Sequence, residues 1–509
     1  MRLVFEPAVG STNLFGESDF LRYVTLAKEA SSKHFIWFIV PDVGKPAEEM
    51  REYLESVSPN IRVLIADTFR EGLYYNEAHI MPDFDRYFHP NYGRYPVDAV
   101  ITSKSSIAAY EARVLKDVRY EWLVPVVILE PECFYPEFDD EYMTEIVRSR
   151  VYGYGSCYTI FSTKNELDLA LKLCRRFLSF STIKEIMEKR STIISTGINC
   201  AEIDKLIAGV DKSDKLTMFF GGRLNNTKHI DVVLQEFQDL FSFARDVDFK
   251  MTSPRIGQAM DLEPYKKFID IQLGVRREEF LRKSASGHIL FYPSPHEGFP
   301  AGVWEQIYTG LIPVVRRCKW TQAQMPEDYP FFFDSVVKAK AIIRYILDDY
   351  PGALAKAGYI KDYAKEHYDS ARTNQQILDY VWDICYGDEA NNLGKPYLRA
   401  GMGRKNRELV RDAVDLIARE EFSFEDLTGA VEQLRPGYRL WYDRPKRVGK
   451  FTKTMLYQYM LDCGWSDRCD SEYPRFYKKE GAVIDYGISD SEMAPMEETG
   501  IDEPDTERY

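Results

Sequence analysis

Short apolar runs, most of them continuous rather than alternating, recur along this chain and constrain its fold more than any other feature. Between residues 1 and 205 they are Arg2–Phe5, Phe35–Val40, Arg62–Ala66, Ala99–Ile101, Pro125–Leu129 and Tyr158–Phe161. A strand without polar alternates is one covered on both faces, as in a parallel sheet flanked by helices. Amphipathic stretches such as Phe20–Ser31 and Ile107–Leu115 separate the runs. Strand and helix in alternation predict a doubly wound α/β domain over residues 1–205. Residues 71–96, rich in Tyr and Pro, break the rhythm and are expected to form an excursion or lid loop.

The rhythm restarts after Gly197. Leu216–Phe220, Asp248–Met251, Ile289–Tyr292 and Ile312–Val315 read as strands, and Ile230–Phe243, Glu278–Ser284 and Val303–Tyr308 as helices. A second α/β domain is predicted over 206–375, with helical apolar spacing through 353–384 and a connecting helix and linker over 376–402. A third unit spans 403–480. Its helices are expected over Glu408–Glu420, after a cap at Ser423, and over Thr452–Cys463 before Gly464, with strand-like Tyr473–Lys479 following. Three helices and a strand pair in that span fit a winged helix-turn-helix. The acidic tail, 481–509, has little apolar content and is expected to be disordered.

With 509 residues, 45% hydrophobic and 29% charged, the chain should form several globular domains. No apolar run approaches the ~18–20 residues that span a bilayer, so membrane insertion is not expected. The opening Met-Arg-Leu-Val-Phe-Glu-Pro reads as a strand rather than a signal peptide. The eight cysteines form no Cys-x-x-Cys pair, and Cys463 and Cys469 have no nearby His to complete a zinc site. Reduced thiols in a cytoplasmic protein are expected. The net charge of −14 disfavours nucleic acid and anionic membranes as partners of the chain as a whole. Arg and Lys nevertheless concentrate in residues 395–453.

Chemistry concentrates in Phe291-Tyr-Pro-Ser-Pro-His-Glu-Gly-Phe-Pro-Ala-Gly-Val-Trp-Glu305, a strand end, a loop and a helix start. A helix beginning near Ala301 points free N–H groups at the loop before it, a ready site for a diphosphate. Glu305 falls in the first turn, where a carboxylate is favoured and can accept hydrogen bonds from ribose hydroxyls. Glu297 stands in the loop beside the place a sugar would occupy. A second segment, Phe219-Phe-Gly-Gly-Arg-Leu-Asn-Asn-Thr-Lys228, follows a strand at the edge where α/β folds bind ligands. Gly222 opens its turn, and Arg223 and Lys228 are placed to clamp a diphosphate and stabilise charge on a leaving group.

Together these segments resemble the Glu–seven residues–Glu signature and the Gly-Arg-Leu…Lys segment of GT-B retaining glycosyltransferases, most like glycosyltransferase family 4. Pro293-Ser294 before the first glutamate and Gly310-Leu-Ile-Pro-Val-Val after the second match as well. The resemblance implies two facing Rossmann-like domains and a UDP- or GDP-sugar donor, with no metal required. It implies that Glu297, Arg223 and Lys228 act at the reaction centre and that Glu305 holds the ribose. Ser294, Phe299, Ala301, Gly302 and Val303 would line the donor. Backbone near Gly274 and Val275 would read the base, and the loop Val9-Gly10-Ser11 would face the phosphates from the first domain. The chain departs from the family at Pro300, where a Gly is usual, and proline offers no N–H. Asp83–Asp85 and Asp246–Asp248 look like the metal motif of the other large glycosyltransferase fold, but they read as structural.

Ser11, Ser103 and Lys104, which follow strands, and His79 and His89, in the Tyr-rich excursion, are candidates for the acceptor side. In the third unit, Arg444, Lys446, Arg447, Lys450 and Lys453 interleave with aromatic residues, as nucleic-acid contacts require. The unit resembles winged-helix domains appended to phage and mobile-element proteins, and so points to a phage DNA-modifying transferase. The leading acceptor is then a hydroxylated, for example hydroxymethylated, pyrimidine base in DNA. The alternatives are a glycan, lipid or small-molecule acceptor, or a degenerate, non-catalytic GT-B protein that binds DNA or a partner.

Overall fold

The computed structural model describes residues 1–7, 14–16, 18–66, 97–103, 108, 111–112, 124–129, 150–222, 247–253, 263–295, 297–386, 404–436, 456, 459–460, 463–467, 475–486 and 488. The expected excursion 71–96, helix Ile230–Phe243 and tail beyond 488 lie outside them. The chain divides into two compact units, the first reaching Gly394 and the second starting at Lys395.

The first unit holds two parallel sheets. In the first, β1 (Arg2–Glu6), β2 (Phe35–Pro41), β3 (Ile61–Ala66), β4 (Ala99–Thr102), β5 (Val126–Leu129), β6 (Tyr158–Phe161) and β7 (Ser191–Ile193) lie in the order β3-β2-β1-β4-β5-β6-β7. Val4 sits between Trp37 and Val100 in register, and β1, β2, β4 and β5 are buried along their whole length. That double burial is why their sequences carry no polar alternates. Among the helices that cover this sheet are α1 (Ser18–Ala30), α2 (Lys45–Val57), α3 (Lys164–Cys174) and α4 (Phe180–Lys189). Local chemistry sets their starts. Pro46 opens α2, a capping box between Thr163 and Glu166 starts α3, and Ser179 caps α4.

The chain then crosses to the second half through α5 (Cys200–Ile207), capped by Asn199. The second sheet has β8 (Leu216–Gly221), β9 (Val247–Ser253), β10 (Asp270–Leu273), β11 (Ile289–Tyr292), β12 (Ile312–Arg316) and β13 (Phe332–Phe333), in the order β10-β9-β8-β11-β12-β13. Its helices are α6 (Arg277–Ser286), α7 (Ala301–Tyr308), α8 (Lys319–Gln324), α9 (Val336–Asp348), α10 (Tyr350–Ala357) and α11 (Tyr359–Tyr368). The chain returns through α12 (Ser370–Tyr386), whose Ile377, Leu378, Val381 and Cys385 are buried in the core of the first sheet. The outward and return crossings touch. Ile198 bridges Asp369, its N–H donating to the Tyr368 carbonyl at 2.7 Å and its carbonyl accepting from the Ser370 N–H at 2.8 Å.

In both sheets the strand order reverses direction beside the first strand, between β1 and β4 and between β8 and β11. Such switch points open a crevice at the carboxyl ends of the strands, where ligands of open α/β sheets bind.

One buried carboxylate at such an edge makes stability depend on pH. Glu166 Oε2 accepts from the Ser162 and Thr163 N–H groups, while Oε1 is buried without a hydrogen-bond partner. Burial pushes the Glu166 carboxyl up to about 7, against the pull of those N–H groups and of Arg22. The folded state therefore holds the proton more tightly than the unfolded chain. Its contribution is complete below the usual value of 4.5 and is lost as pH rises through about 7. The shift corresponds to about 3 kcal/mol. Glu166→Gln keeps the acceptor for both N–H groups and has no proton to lose. The unfolding midpoint of the wild type should fall relative to that of Glu166→Gln between pH 5 and pH 8. A constant difference across that range would exclude the buried titration.

The second unit is smaller. Its α13 (Arg404–Ile417) ends at Ala418, which takes a positive φ of 51°. It is followed by β14 (Glu421–Ser423) and α14 (Phe424–Leu434), started by a capping box between Ser423 and Asp426. The helix read over Glu408–Glu420 thus begins and ends earlier than expected. Leu456, Tyr459 and Met460 are helical and buried, and β15 (Ser466–Asp467) and β16 (Arg475–Tyr477) complete an antiparallel sheet in the order β14-β16-β15. Phe422 packs edge-on against Trp465, with centroids 4.8 Å apart, and against Phe476. No helix among the described residues is long and apolar enough to cross a membrane.

Candidate active site

The two chemistry-bearing segments leave neighbouring strands. Gly221–Gly222 closes β8, and residues 293–300 leave β11 and lead into α7. Because β8 and β11 flank the switch point, Gly222 and Pro293 leave their strands at the same crevice. Gly221 is held closely: a Cβ there would stand 2.2 Å from Phe280 and 2.8 Å from Gln306 Oε1. Gln306 donates through Nε2 to the carbonyls of Gly221, at 3.1 Å, and Gly302, at 2.7 Å, and so ties the end of β8 to the start of α7.

Aromatic rings support the 293–300 loop from below. Tyr292, at the end of β11, stacks on Phe220 and meets Trp320 edge-on, and its hydroxyl donates to Glu297 Oε1 at 2.7 Å. Ser294 is buried, and its carbonyl accepts from Trp320 Nε1 at 2.9 Å, so it supports the loop from inside. Gln324 donates to the Gly298 carbonyl and accepts from Trp304 Nε1. Phe299 packs edge-on against Tyr368, with centroids 5.2 Å apart.

Pro300 determines which backbone donors remain. With φ −78° and ψ 77° it makes a tight turn, in which the Ala301 N–H donates to the Phe299 carbonyl at 2.9 Å. The Pro300 carbonyl accepts from Val303 at 2.9 Å and from Trp304 at 3.2 Å. Of the first-turn donors expected for an anion, Ala301 and Val303 are therefore engaged, and Gly302 keeps its N–H. A Cβ on Gly302 would meet nothing within 4 Å among the described residues, so the backbone there can be approached closely from the side. The proline thus removes two donors, its own and that of Ala301.

α7 starts at Ala301 and has no acidic residue in its first turn; Glu305, expected there, is its fifth residue, and it accepts from Arg277 Nε at 3.1 Å and Nη2 at 2.7 Å. Gly274, at φ 71°, makes the turn between β10 and α6, and the Val275 N–H donates to the Ser253 carbonyl at 3.3 Å. The Val275 N–H, expected to read a base, is therefore already engaged. Across the first sheet, Ser103 follows β4 and its N–H donates to the Glu6 carbonyl at 3.2 Å. Gly10, Ser11, His79, His89, Lys104, Arg223, Lys228, Arg444, Lys446, Arg447, Lys450 and Lys453 lie outside the described residues. So do Asp83, Asp85 and Asp246, whereas Asp248 lies in β9 with Lys215 Nζ 3.9 Å away. Among the described residues no group of three or more His, Cys, Asp or Glu side chains is arranged to hold a metal.

Two α/β sheets of reversing order, joined by paired crossings and a returning helix, recur in solved enzymes. The chain is similar to HepE (Alr3699) of Anabaena, solved with UDP. The two are 13% identical over 75% of this chain and 99% of that one, with a TM-score of 0.52. It is similar to the sucrose-phosphate synthase of Thermosynechococcus elongatus, 11% identical over 75% and 99%, with a TM-score of 0.55. This is the GT-B fold. A glycosyltransferase from Rickettsia africae gives 13% identity over 76% and 99%, with a TM-score of 0.51. No protein-family model matches the chain, and no curated protein matches it in sequence. Within the GT-B fold, Glu297, Gly302 and Glu305 all lie on the second Rossmann-like half, at its switch point.

Sequence reasoning missed Tyr292, Arg277, Gln306 and Gln324. Arg277 carried a signal. A cation at the first position of a helix opposes the helix dipole, so it needs an acidic partner elsewhere.

Proposed function

We propose that this chain is a retaining glycosyltransferase that moves a hexose or pentose from a nucleotide-sugar, UDP-linked in the first instance, to a hydroxyl acceptor. The observation that carries the reading is the pair Glu297 and Glu305, on either side of Gly302 in sequence, at the switch point of a GT-B half. Neighbours of the same fold support UDP as the nucleotide, HepE having been solved with UDP-glucose as well as with UDP. In this reading the Gly302 N–H meets the diphosphate, Glu305 the ribose, and Glu297 the sugar. Arg223 and Lys228, which follow the Gly221–Gly222 turn in sequence, clamp the diphosphate in place of a metal. The acceptor hydroxyl attacks the anomeric carbon on the face from which the diphosphate departs. The bond from that carbon to the diphosphate oxygen breaks as the new carbon–oxygen bond forms, and the departing diphosphate takes the hydroxyl proton. Turnover of UDP-sugars that is lost on Glu297→Ala tests it, and equal turnover by the wild type and that variant would overturn it.

Gly302→Ala separates the fold from the site. Alanine should stabilise the helix start by about 0.5–1 kcal/mol, as it should at Gly429, where a Cβ also meets nothing within 4 Å. In front of the diphosphate the same methyl should weaken UDP about tenfold, the loss of one charge-assisted hydrogen bond. Melting curves and calorimetric titration with UDP measure both. Undiminished UDP affinity would move the phosphate site away from Gly302.

For the acceptor the proposal is a hydroxylated base in DNA. The second unit supports it: the order helix, strand, helix, helical residues 456, 459 and 460 and two antiparallel strands is similar to a winged helix. The cations Arg444, Lys446 and Arg447 belong to the same unit in sequence. A gel shift of the full chain with duplex DNA, against a variant with all three changed to Ala, tests this. Equal and negligible shifts would leave a glycan, lipid or small-molecule acceptor.

A further inference from the structure

Arg277 starts α6, where the dipole disfavours a cation, yet it is turned inward. Its Nε and Nη2 both donate to Glu305 Oε1, and its Nη1 lies 3.0 Å from Glu202 Oε2 on α5. The Arg277 side chain is 28% exposed and that of Glu305 14%. Burial works against the guanidinium charge, but Glu305 and Glu202 outweigh it and raise the Arg277 pKa above its ordinary value. The group is therefore a permanent cation between two carboxylates on different helices. Both bonds to Glu305 fall on Oε1, so Oε2 keeps its lone pairs and a fixed direction.

We infer that Arg277 is a positioning residue that anchors Glu305, so that its free oxygen selects ribonucleotides through their 2′- and 3′-hydroxyls. The inference rests on the donor reading above, in which Glu305 meets the ribose. An unanchored Glu305 would be a flexible side chain, repelled by Glu202 and by the donor diphosphate, and its carboxylate would turn to water. An arginine fork fixes both the position and the tilt of a carboxylate, whereas a lysine supplies only a point charge.

The test compares UDP and GDP with their 2′,3′-dideoxy forms by calorimetry on the full-length protein. Wild type should bind its preferred ribonucleotide about 30-fold more tightly than the dideoxy form, as expected for hydrogen bonds to a charged group. In Arg277→Met that ratio should fall below about threefold, with the ribonucleotide weakened and the dideoxy form nearly unchanged. Arg277→Lys retains the charge and covers the case in which the Met variant does not fold. Its ratio should lie between the other two, because one point contact replaces a fork. A merely structural role for Arg277 would weaken both nucleotide forms together and leave the ratio intact, and a full ratio in either variant would overturn the inference. Failure of the wild type to bind any of the four nucleotides would instead overturn the donor-site reading beneath it.

Discussion

Glu297→Gln should lower kcat for glycosyl transfer by about 100-fold or more while changing the donor KM by less than about threefold. Glutamine has the same size as glutamate. Its carbonyl oxygen can still accept from the Tyr292 hydroxyl, which donates to Glu297 at 2.7 Å. The loop should therefore keep its shape, and the change is confined to one negative charge beside the sugar. As the bond to the diphosphate breaks, positive charge develops at the anomeric carbon, and a fixed carboxylate stabilises that charge more than it stabilises the ground state. Tyr292→Phe removes the opposite element. It keeps the ring that stacks on Phe220 at 5.7 Å but removes one hydrogen bond to the carboxylate. A loss in kcat of about tenfold, again with little change in KM, is expected from a lost hydrogen bond to a charged group. Initial rates at saturating donor measure both. A Gln variant within threefold of wild type would remove Glu297 from the chemistry.

The ten apolar runs named from the sequence correspond to β1–β6, β8, β9, β11 and β12, with ends displaced by at most two residues. The five strands that were missed, β7, β10, β13, β14 and β15, lie toward or at sheet edges, β14 and β15 flanking β16 and β7, β10 and β13 ending their sheets. An edge strand is covered less completely and needs no continuous apolar run. Ser191–Ile193 and Asp270–Leu273 have no fully buried residue, and Phe332–Phe333 is only two residues long. The glutamate motif could be proposed from the sequence because its residues lie in one stretch of chain. Its supports could not be. Arg277 and Glu305 are 28 residues apart, and Gln306 and Gly221 are 85 apart, so only the sheet brings them together. Nor could the number of phosphate donors be counted in advance. The loss of the Pro300 N–H follows from its identity, but the loss of the Ala301 N–H follows from the turn that proline makes.

Gly197→Ala should lower the stability of the first unit by about 2–3 kcal/mol, the cost of overpacking where backbone must move. A Cβ at Gly197 would stand 2.4 Å from the Ser370 Cα and 2.4 Å from Thr373 Oγ1. A side-chain oxygen can swing away, but an α-carbon cannot, so the two crossings must separate. Their separation strains the bonds by which Ile198 reaches Tyr368 and Ser370. It also carries Tyr368, whose ring lies 4.4 Å from Trp304 and 5.2 Å from Phe299, centroid to centroid. Phe299 of the proposed donor loop rests on that ring, so on that proposal donor affinity should fall together with the unfolding midpoint. Adding Thr373→Ala removes the hydroxyl but leaves the Cα, and should restore only part of the loss. Denaturation followed by both tryptophan fluorescence and UDP binding measures the coupling. A Gly197→Ala protein that melts with the wild type would mean the crossings are not in this close contact, and full recovery in the double variant would place the clash on Thr373 alone.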